Sequence, residues 1–258
     1  MSSRKYDVII IGAGIGGLTC GCYLAKAGMK VLIVEQHTQV GGYCTSFNRQ
    51  GFTFNVLTST LGNLGKNKAL GLIMSELGID KKLDFIKVDP SDIILTSVYS
   101  IPIYSDFNKT INKLQESFPK EAIKIKEFFD FIRNSDMINL YFKLRRKTLK
   151  ELLDSYFLDI QLKSIFTMML CRLGLHPKDI AAFTSVVHFR EFIMDMGYHP
   201  KGGMQRLSDA FAGRFRDFGG EILLKSRVDK IIIKNKKAMG VNIKGYWSDR
   251  IRIRSMRL

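Results

Sequence analysis

Residues 6–35 carry the feature that most restricts how this chain can fold. A β-branched run, Tyr6-Asp7-Val8-Ile9-Ile10-Ile11, leads directly into Gly12-Ala13-Gly14-Ile15-Gly16-Gly17 and then into a helical stretch. Strand, G-x-G-x-x-G and helix in that order open a βαβ nucleotide-binding unit. Gly12 permits the tight turn, Gly14 lets backbone approach a diphosphate that any Cβ would meet, and Gly17 lets the helix lie close to the sheet. Main-chain amides through Ala13, Ile15 and Gly16 then face the phosphates, aided by the helix dipole. Leu18 to Ala27 continues the helix, with Gly21 small where it must meet the strands and Gly28 as its C-terminal stop. Met29 to Val34 reads as a second strand buried on both faces, and it ends at Glu35. A carboxylate there accepts hydrogen bonds from the ribose hydroxyls of an adenosine and repels a 2′-phosphate, which argues against NADP.

The rest of the composition removes other chemistries. The four cysteines, Cys20, Cys22, Cys44 and Cys171, match neither a zinc ribbon nor a redox C-x-x-C; Cys20 and Cys22 fall on different sides of the first helix. The histidines have no metal-ligand spacing, no Ser/His/Asp set is evident, and no metal is expected. No apolar run reaches the ~18 residues of a membrane span. The first strand follows Met1-Ser2-Ser3-Arg4-Lys5 without a signal-peptide pattern, so a cytoplasmic location is expected. The net charge of +16 favours anionic partners. No nucleic-acid module accompanies it, and none is expected to bind.

A second glycine pair follows Glu35. The segment Glu35-Gln36-His37-Thr38-Gln39-Val40-Gly41-Gly42-Tyr43-Cys44-Thr45-Ser46-Phe47 resembles the E-x-x-x-x-x-G-G-R-x-x-[ST] signature of flavoproteins in the amine oxidase and phytoene desaturase superfamily. Tyr43 stands where that signature has Arg. Gly51-Phe52-Thr53-Phe54-Asn55 is similar to the G-[FY]-x-F-D of the phytoene desaturase/carotenoid isomerase-like branch, with Asn55 in place of Asp. Tyr198-His199-Pro200-Lys201-Gly202-Gly203-Met204 resembles its Y-P-x-G-G-M turn, and Gly219 to Leu224 with Val228 to Ile231 its return to the nucleotide domain. The resemblance implies FAD as the cofactor. It implies that Gln36, Gly41, Gly42, Tyr43 and Thr45 join the first glycine turn in holding FAD, and that the Val228 backbone meets the adenine. It further implies an oxidoreductase moving a hydride between flavin and a lipophilic polyprenoid or carotenoid-like substrate. The flavin would do the redox work, so no catalytic acid or base is named. An amine or porphyrinogen oxidase on the same scaffold, and a chain that binds only the ADP moiety, are the other readings.

The expected fold class is α/β. A Rossmann-like FAD-binding domain with a β-meander spans 1–65 and 201–258, and an inserted, mostly helical α+β substrate domain, incomplete, spans 66–200. Within the insertion, helices are expected over Ala69–Leu77, Asn108–Ser117, Lys120–Arg133 and Thr148–Tyr156, and β segments around Ile93–Leu95 and Ile101–Tyr104. Phe157 to Leu175 is apolar and Met-rich, read as core or as tunnel lining. Lys143-Leu144-Arg145-Arg146-Lys147-Thr148-Leu149-Lys150 carries five cations and no acid. With Tyr141, Phe142 and Leu144 beside it, the run reads either as a solvated face or as a peripheral contact with an anionic membrane. The alternation Arg250-Ile251-Arg252-Ile253-Arg254 has strand period, and Arg257 adds to its charge. Relatives of the branch continue for about as many residues again. The expectation is therefore a truncated or split product, with a second polypeptide supplying the missing part.

Overall fold

The computed structural model describes residues 5–56, 60–65, 67–195, 197–244 and 250–253; Arg254 and Arg257 lie outside the described residues. The chain divides into two compact units, one of residues 1–59, 71–86 and 199–258, the other of 60–70 and 87–198.

In the first unit Val8–Ile11, Val31–Val34 and Glu221–Leu223 form a parallel sheet with Val31–Val34 at its centre. All four residues of the central strand are buried. Alternate side chains leave a strand on opposite faces, so both faces must be covered. Leu32 and Val34 pack with Tyr6 and Ile243 on one side. Ile33 lies under the first helix, Ile15–Lys26, where a Cβ on Gly21 would stand 2.9 Å from Ile33 Cδ1 and 3.1 Å from Phe215 Cε2. Gly21 thus lets this helix and the helix Met204–Asp217 close on each other over the sheet. The opposite layer is a β-meander of Val228–Lys234, Lys237–Ile243 and Arg250–Ile253, antiparallel neighbours in that order. Its last strand is the Arg/Ile alternation of the sequence, and it pairs in parallel with Lys5–Tyr6.

The break after residue 65 is not where the chain divides. Residues 71–86, expected in the second domain, belong to the first unit. The helix Ala69–Leu77 buries Met74 and Leu77. Arg214 Nε donates to the Leu77 carbonyl at 2.6 Å, and the Tyr23 hydroxyl and Lys26 Nζ donate to Glu76. These are tertiary contacts with no local sequence signal.

The second unit packs six helices and a hairpin around aromatic side chains. The helices are Phe107–Ser117, Ala122–Asn134, Met137–Leu144, Leu149–Tyr156, Ile160–Met169 and Ala182–Glu191, and the hairpin pairs Asp92–Leu95 with Ser100–Ile103. Four of the helices start on a residue that satisfies free amides: Asp106, Asp136, Asp159 and Thr148, the last in a reciprocal pair with Glu151. Phe128 sits at the centre, its ring against those of Phe129, Tyr156, Phe157, Phe166 and Phe189 at 5.1–6.1 Å. Edge-on rings bury large apolar areas with favourable quadrupole contacts. The Met-rich stretch contributes Leu162, Ile165, Phe166 and Met169 to this core. Met168 and Met169 also line a small apolar cavity of about 200 Å³ beside the hairpin.

Candidate functional site

The first glycine turn is shaped by space left above it and by contact below it. A Cβ on Gly12, Gly14 or Gly16 would meet nothing within 4 Å, whereas one on Gly17 would lie 2.2 Å from the Gly12 carbonyl oxygen. Gly17 is therefore required by the fold, and the other three leave room for something outside the protein. Gly12 has φ +99°, which also suits glycine alone. Gly14 occupies the N-cap of the first helix in extended conformation, without a side-chain cap. The opening amides of Ile15, Gly16 and Gly17 have no intrahelical acceptor there, so the positive end of the helix faces the open space.

Glu35 is buried, 6% exposed, at the end of the central strand. Its Oε2 accepts from Ala13 N at 2.7 Å and its Oε1 from His37 N at 2.9 Å. The carboxylate ties the first turn to the second strand. Each oxygen retains a second lone pair for another donor.

The second glycine pair lies against the first turn. Gly41 N donates to the Ala13 carbonyl at 2.7 Å, Gly14 and Gly41 form a parallel bridge, and a Cβ on Gly42 would stand 3.3 Å from Gly14 Cα. Two motifs 24 residues or more apart in the chain (positions 12–17 and 41–42) therefore build one wall. Beside it opens a cleft of about 530 Å³ lined by Glu35, Gln36, His37, Thr38, Gln39, Gly42, Tyr43, Thr45 and Val56. Tyr43 is 73% exposed. Thr45 is buried and donates to the Gly42 carbonyl at 3.0 Å, which holds the loop closed on itself. Val228 packs on the Tyr6, Leu32, Val34 and Ile243 cluster, and the segment before it runs beside the acid: Ser226 N donates to the Glu35 carbonyl and Lys225 N to that of His37.

Sequence reading missed the residues that hold this wall in place. They come from the helix Met204–Asp217 and the hairpin Ser46–Arg49/Phe52–Asn55. Ser208 Oγ donates to the Cys44 carbonyl at 2.6 Å and Gln205 Nε2 to the Val40 carbonyl at 3.1 Å, on either side of Gly41-Gly42. The hairpin in turn caps the helix. Met204 N donates to Asn55 Oδ1 at 3.1 Å, Gln205 N to Ser46 Oγ at 3.2 Å, and Ser46 Oγ to Asn55 Oδ1 at 2.8 Å. Asn55, standing where the branch has Asp, is thus a cap, and an amide oxygen serves that purpose. One signal was present. Met204, Leu207, Phe211 and Phe215 form a buried stripe, and Ser208 is a fully buried polar residue within it. A buried hydroxyl on an apolar stripe needs a partner.

Of the cysteines and histidines, His37 alone lines this cleft, and the contact seen is its backbone amide on Glu35. Burial, partly offset by Arg214, pushes the Cys22 thiol up to about 11; Cys20, across the helix, is exposed. His176 Nδ1 accepts from Lys178 N, a turn contact. Among the described residues no group of three or more His, Cys, Asp and Glu side chains comes together, and no helix is long and apolar enough to cross a membrane.

Residues 10–77 fit the family model of the NAD(P)-binding Rossmann-like domain. Prolycopene isomerase from Daucus carota is 29% identical over 271 residues, 93% of this chain and 44% of that protein. The 4,4'-diapophytoene desaturase (4,4'-diapolycopene-forming) of Methylomonas sp is 28% identical over 265 residues, 94% of this chain and 51% of that protein. All-trans-retinol 13,14-reductase from Danio rerio is 24% identical over 273 residues, 92% and 44%. The chain is thus similar in sequence to a carotenoid isomerase, a carotenoid desaturase and a retinol reductase. It spans about half the length of these relatives. In fold it is similar to an oxidoreductase from Methanosarcina mazei (TM-score 0.68, 21% identity, 95% of this chain and 57% of that one). A putrescine oxidase triple mutant gives 0.65 at 21% identity, with 96% and 56% covered. Residues 10–77, matched to the Rossmann-like domain, are the part in which both glycine motifs and Glu35 meet.

Proposed function

We propose that this chain binds FAD and belongs to an FAD-dependent oxidoreductase that moves a hydride between the flavin and a long lipophilic polyene. The observation that carries the cofactor reading is the open space at Gly14 and Gly16, with Gly41-Gly42 packed against Gly14 and a cleft lined by Gly42 and Glu35 beside them. Gly14 and Gly16, which neither a protein contact nor a positive φ requires to lack a Cβ, are accounted for by a ligand that does require it. Gly12 to Gly17 would hold the diphosphate through main-chain amides. Glu35, fixed by Ala13 N and His37 N, would accept from the ribose hydroxyls with its remaining lone pairs. Gln36, Gly42, Tyr43 and Thr45 flank the same cleft, and Ser208 and Gln205 keep its second wall in register. Bound there, the flavin supplies hydride transfer; the protein supplies position and exclusion of water. The substrate class comes from the named relatives, which include a prolycopene isomerase and a diapophytoene desaturase.

The test is direct. The purified chain titrated with FAD should quench flavin fluorescence saturably, and ADP should compete. A chain that leaves flavin fluorescence unchanged while ADP or NAD binds would contradict the flavin half of the reading. A second reading, a nucleotide-binding chain that performs no turnover by itself, is favoured by one relative, an inactive all-trans-retinol 13,14-reductase from Danio rerio at 25% identity. It predicts FAD uptake without reduction of the bound flavin by any polyene.

A further inference from the structure

Gly41 is a glycine for a different reason from Gly14 and Gly16. A Cβ on it would stand 2.7 Å from each of Ser208 Oγ, the Cys44 carbonyl oxygen and Thr45 Cγ2, and its φ is +120°. The protein itself fills the space behind the second glycine pair, and the group that reaches it from another element is the Ser208 hydroxyl. Ser208 is fully buried, on the same stripe of Met204–Asp217 as Leu207, Phe211 and Phe215. Its Oγ donates to the Cys44 carbonyl at 2.6 Å, and Cys44 N donates back to the Gly41 carbonyl at 3.0 Å. Gln205, three residues earlier and so on the same side of the helix, donates to the Val40 carbonyl. Two side chains of one helix thus hold the carbonyls on both flanks of Gly41-Gly42. The bond from Gly41 N to the Ala13 carbonyl, 2.7 Å, passes that placement on to the first glycine turn. The acid end of the cleft is supported differently. Glu35 N donates to the Leu223 carbonyl at 2.8 Å, Ser226 N to the Glu35 carbonyl at 2.8 Å, and Lys225 N to the His37 carbonyl at 2.9 Å. Those three bonds are main chain to main chain and use no atom of Met204–Asp217.

We propose that Ser208 is a positioning residue for the diphosphate half of the ligand, acting through Gly41-Gly42 and Ala13 on the amides that follow Gly14, and that the adenosine half is held without it. The inference rests on the reading that this cleft takes a dinucleotide. Without the hydroxyl, the Cys44 carbonyl loses its donor and a void replaces the oxygen behind Gly41. The loop relaxes into that void and draws Ala13 with it through the Gly41 amide. Amides aimed at phosphate oxygens weaken steeply once misaligned. A sugar held by Glu35 keeps its partner, because the strand end and residues 223–226 stay in place. Gln205 assists from the other flank, with a smaller share because its side chain is only half-buried.

Calorimetric titration of the full chain with ADP and, separately, with adenosine tells the two halves apart. Ser208→Ala should weaken ADP about tenfold, the size of one lost buried hydrogen bond, and leave adenosine within about twofold of wild type. A purely structural role would lower both ligands alike, through a smaller folded fraction. Gln205→Leu should show the same preference with a loss of about threefold in ADP affinity, and it decides the question where Ser208→Ala does not fold. Equal losses for the two ligands, or wild-type ADP affinity in the folded variants, overturn the proposal. So does a wild-type chain that takes ADP but no adenosine, since its acid end would then hold nothing by itself. A wild-type chain that binds neither ligand refutes the dinucleotide reading, a failure seen before any variant is made.

Discussion

The two units hold their form by different means. In the first, the decisive positions are small or polar: Gly17 against the Gly12 carbonyl, Glu35 between Ala13 N and His37 N, and Asn55 and Ser46 on the start of the helix Met204–Asp217. In the second, they are large rings around Phe128. A backbone-built site tolerates little change of size at a few positions, and a ring-packed core tolerates little loss of volume. The comparison teaches that the first unit is specified by a few small and polar positions and the second by the packing of rings.

The largest effect should come from the second unit. Phe128→Ala removes a fully buried ring and should cost about 3–5 kcal/mol in urea unfolding; a loss below about 1 kcal/mol would mean the rings do not organise that core. In the first unit, Gly17→Ala places a methyl 2.2 Å from backbone and should cost on the order of 1–3 kcal/mol, the range of overpacking. Unchanged stability would show that the turn is looser than its contacts. Asn55→Ala strips the cap from Met204 N and should cost about 1 kcal/mol, with Asn55→Asp restoring it, because a carboxylate at a helix start accepts the same amide. If both variants match wild type, the hairpin does not position the glycine wall.

A smaller effect concerns pH. Burial, with Arg172 adding to it, holds the His188 imidazole below its ordinary 6.5, while its ring stacks on Phe192. A pKa depressed in the folded state means the unfolded chain takes the proton first. Stability from this residue is therefore complete above about pH 6.5 and declines as pH falls toward the folded value. His188→Gln should flatten that acid slope, whatever the loss of its stack on Phe192 costs at neutral pH; an unchanged slope would place the proton elsewhere.

Much of the first unit was legible because its signals are local and backbone-encoded. Strand, glycine turn, helix and terminal Glu35 fall within thirty or so residues, and the helix Ala69–Leu77 ending at Gly78 shows its bounds in apolar spacing. The Arg/Ile alternation likewise disclosed a strand. What stayed hidden depends on distance. Ser208 reaches Cys44 across 164 residues, and Arg214 reaches Leu77 across 137, so the second boundary and the support of the glycine wall had no local pattern. Glu35 was legible as an acid at the site, but its two amide donors were not, because they require the turn to be folded. In the second unit the bounds of the two helices flanking Pro119 and of the one starting at Thr148 were readable, while those of Met137–Leu144, Ile160–Met169 and Ala182–Glu191 were not. Which apolar side chains form the core was not: Leu144, grouped with Tyr141 and Phe142 beside the basic run, is buried, since a side chain has the same hydropathy in either place.

Gly14→Ala tests the central claim most directly. No protein atom lies within 4 Å of the added methyl, and Gly14 has φ −65°, a value any residue adopts. Its unfolding free energy should therefore stay within about 0.5 kcal/mol of wild type. FAD affinity measured by fluorescence titration should fall at least tenfold, roughly 1.4 kcal/mol. Wild-type affinity in a folded Gly14→Ala chain would contradict the account.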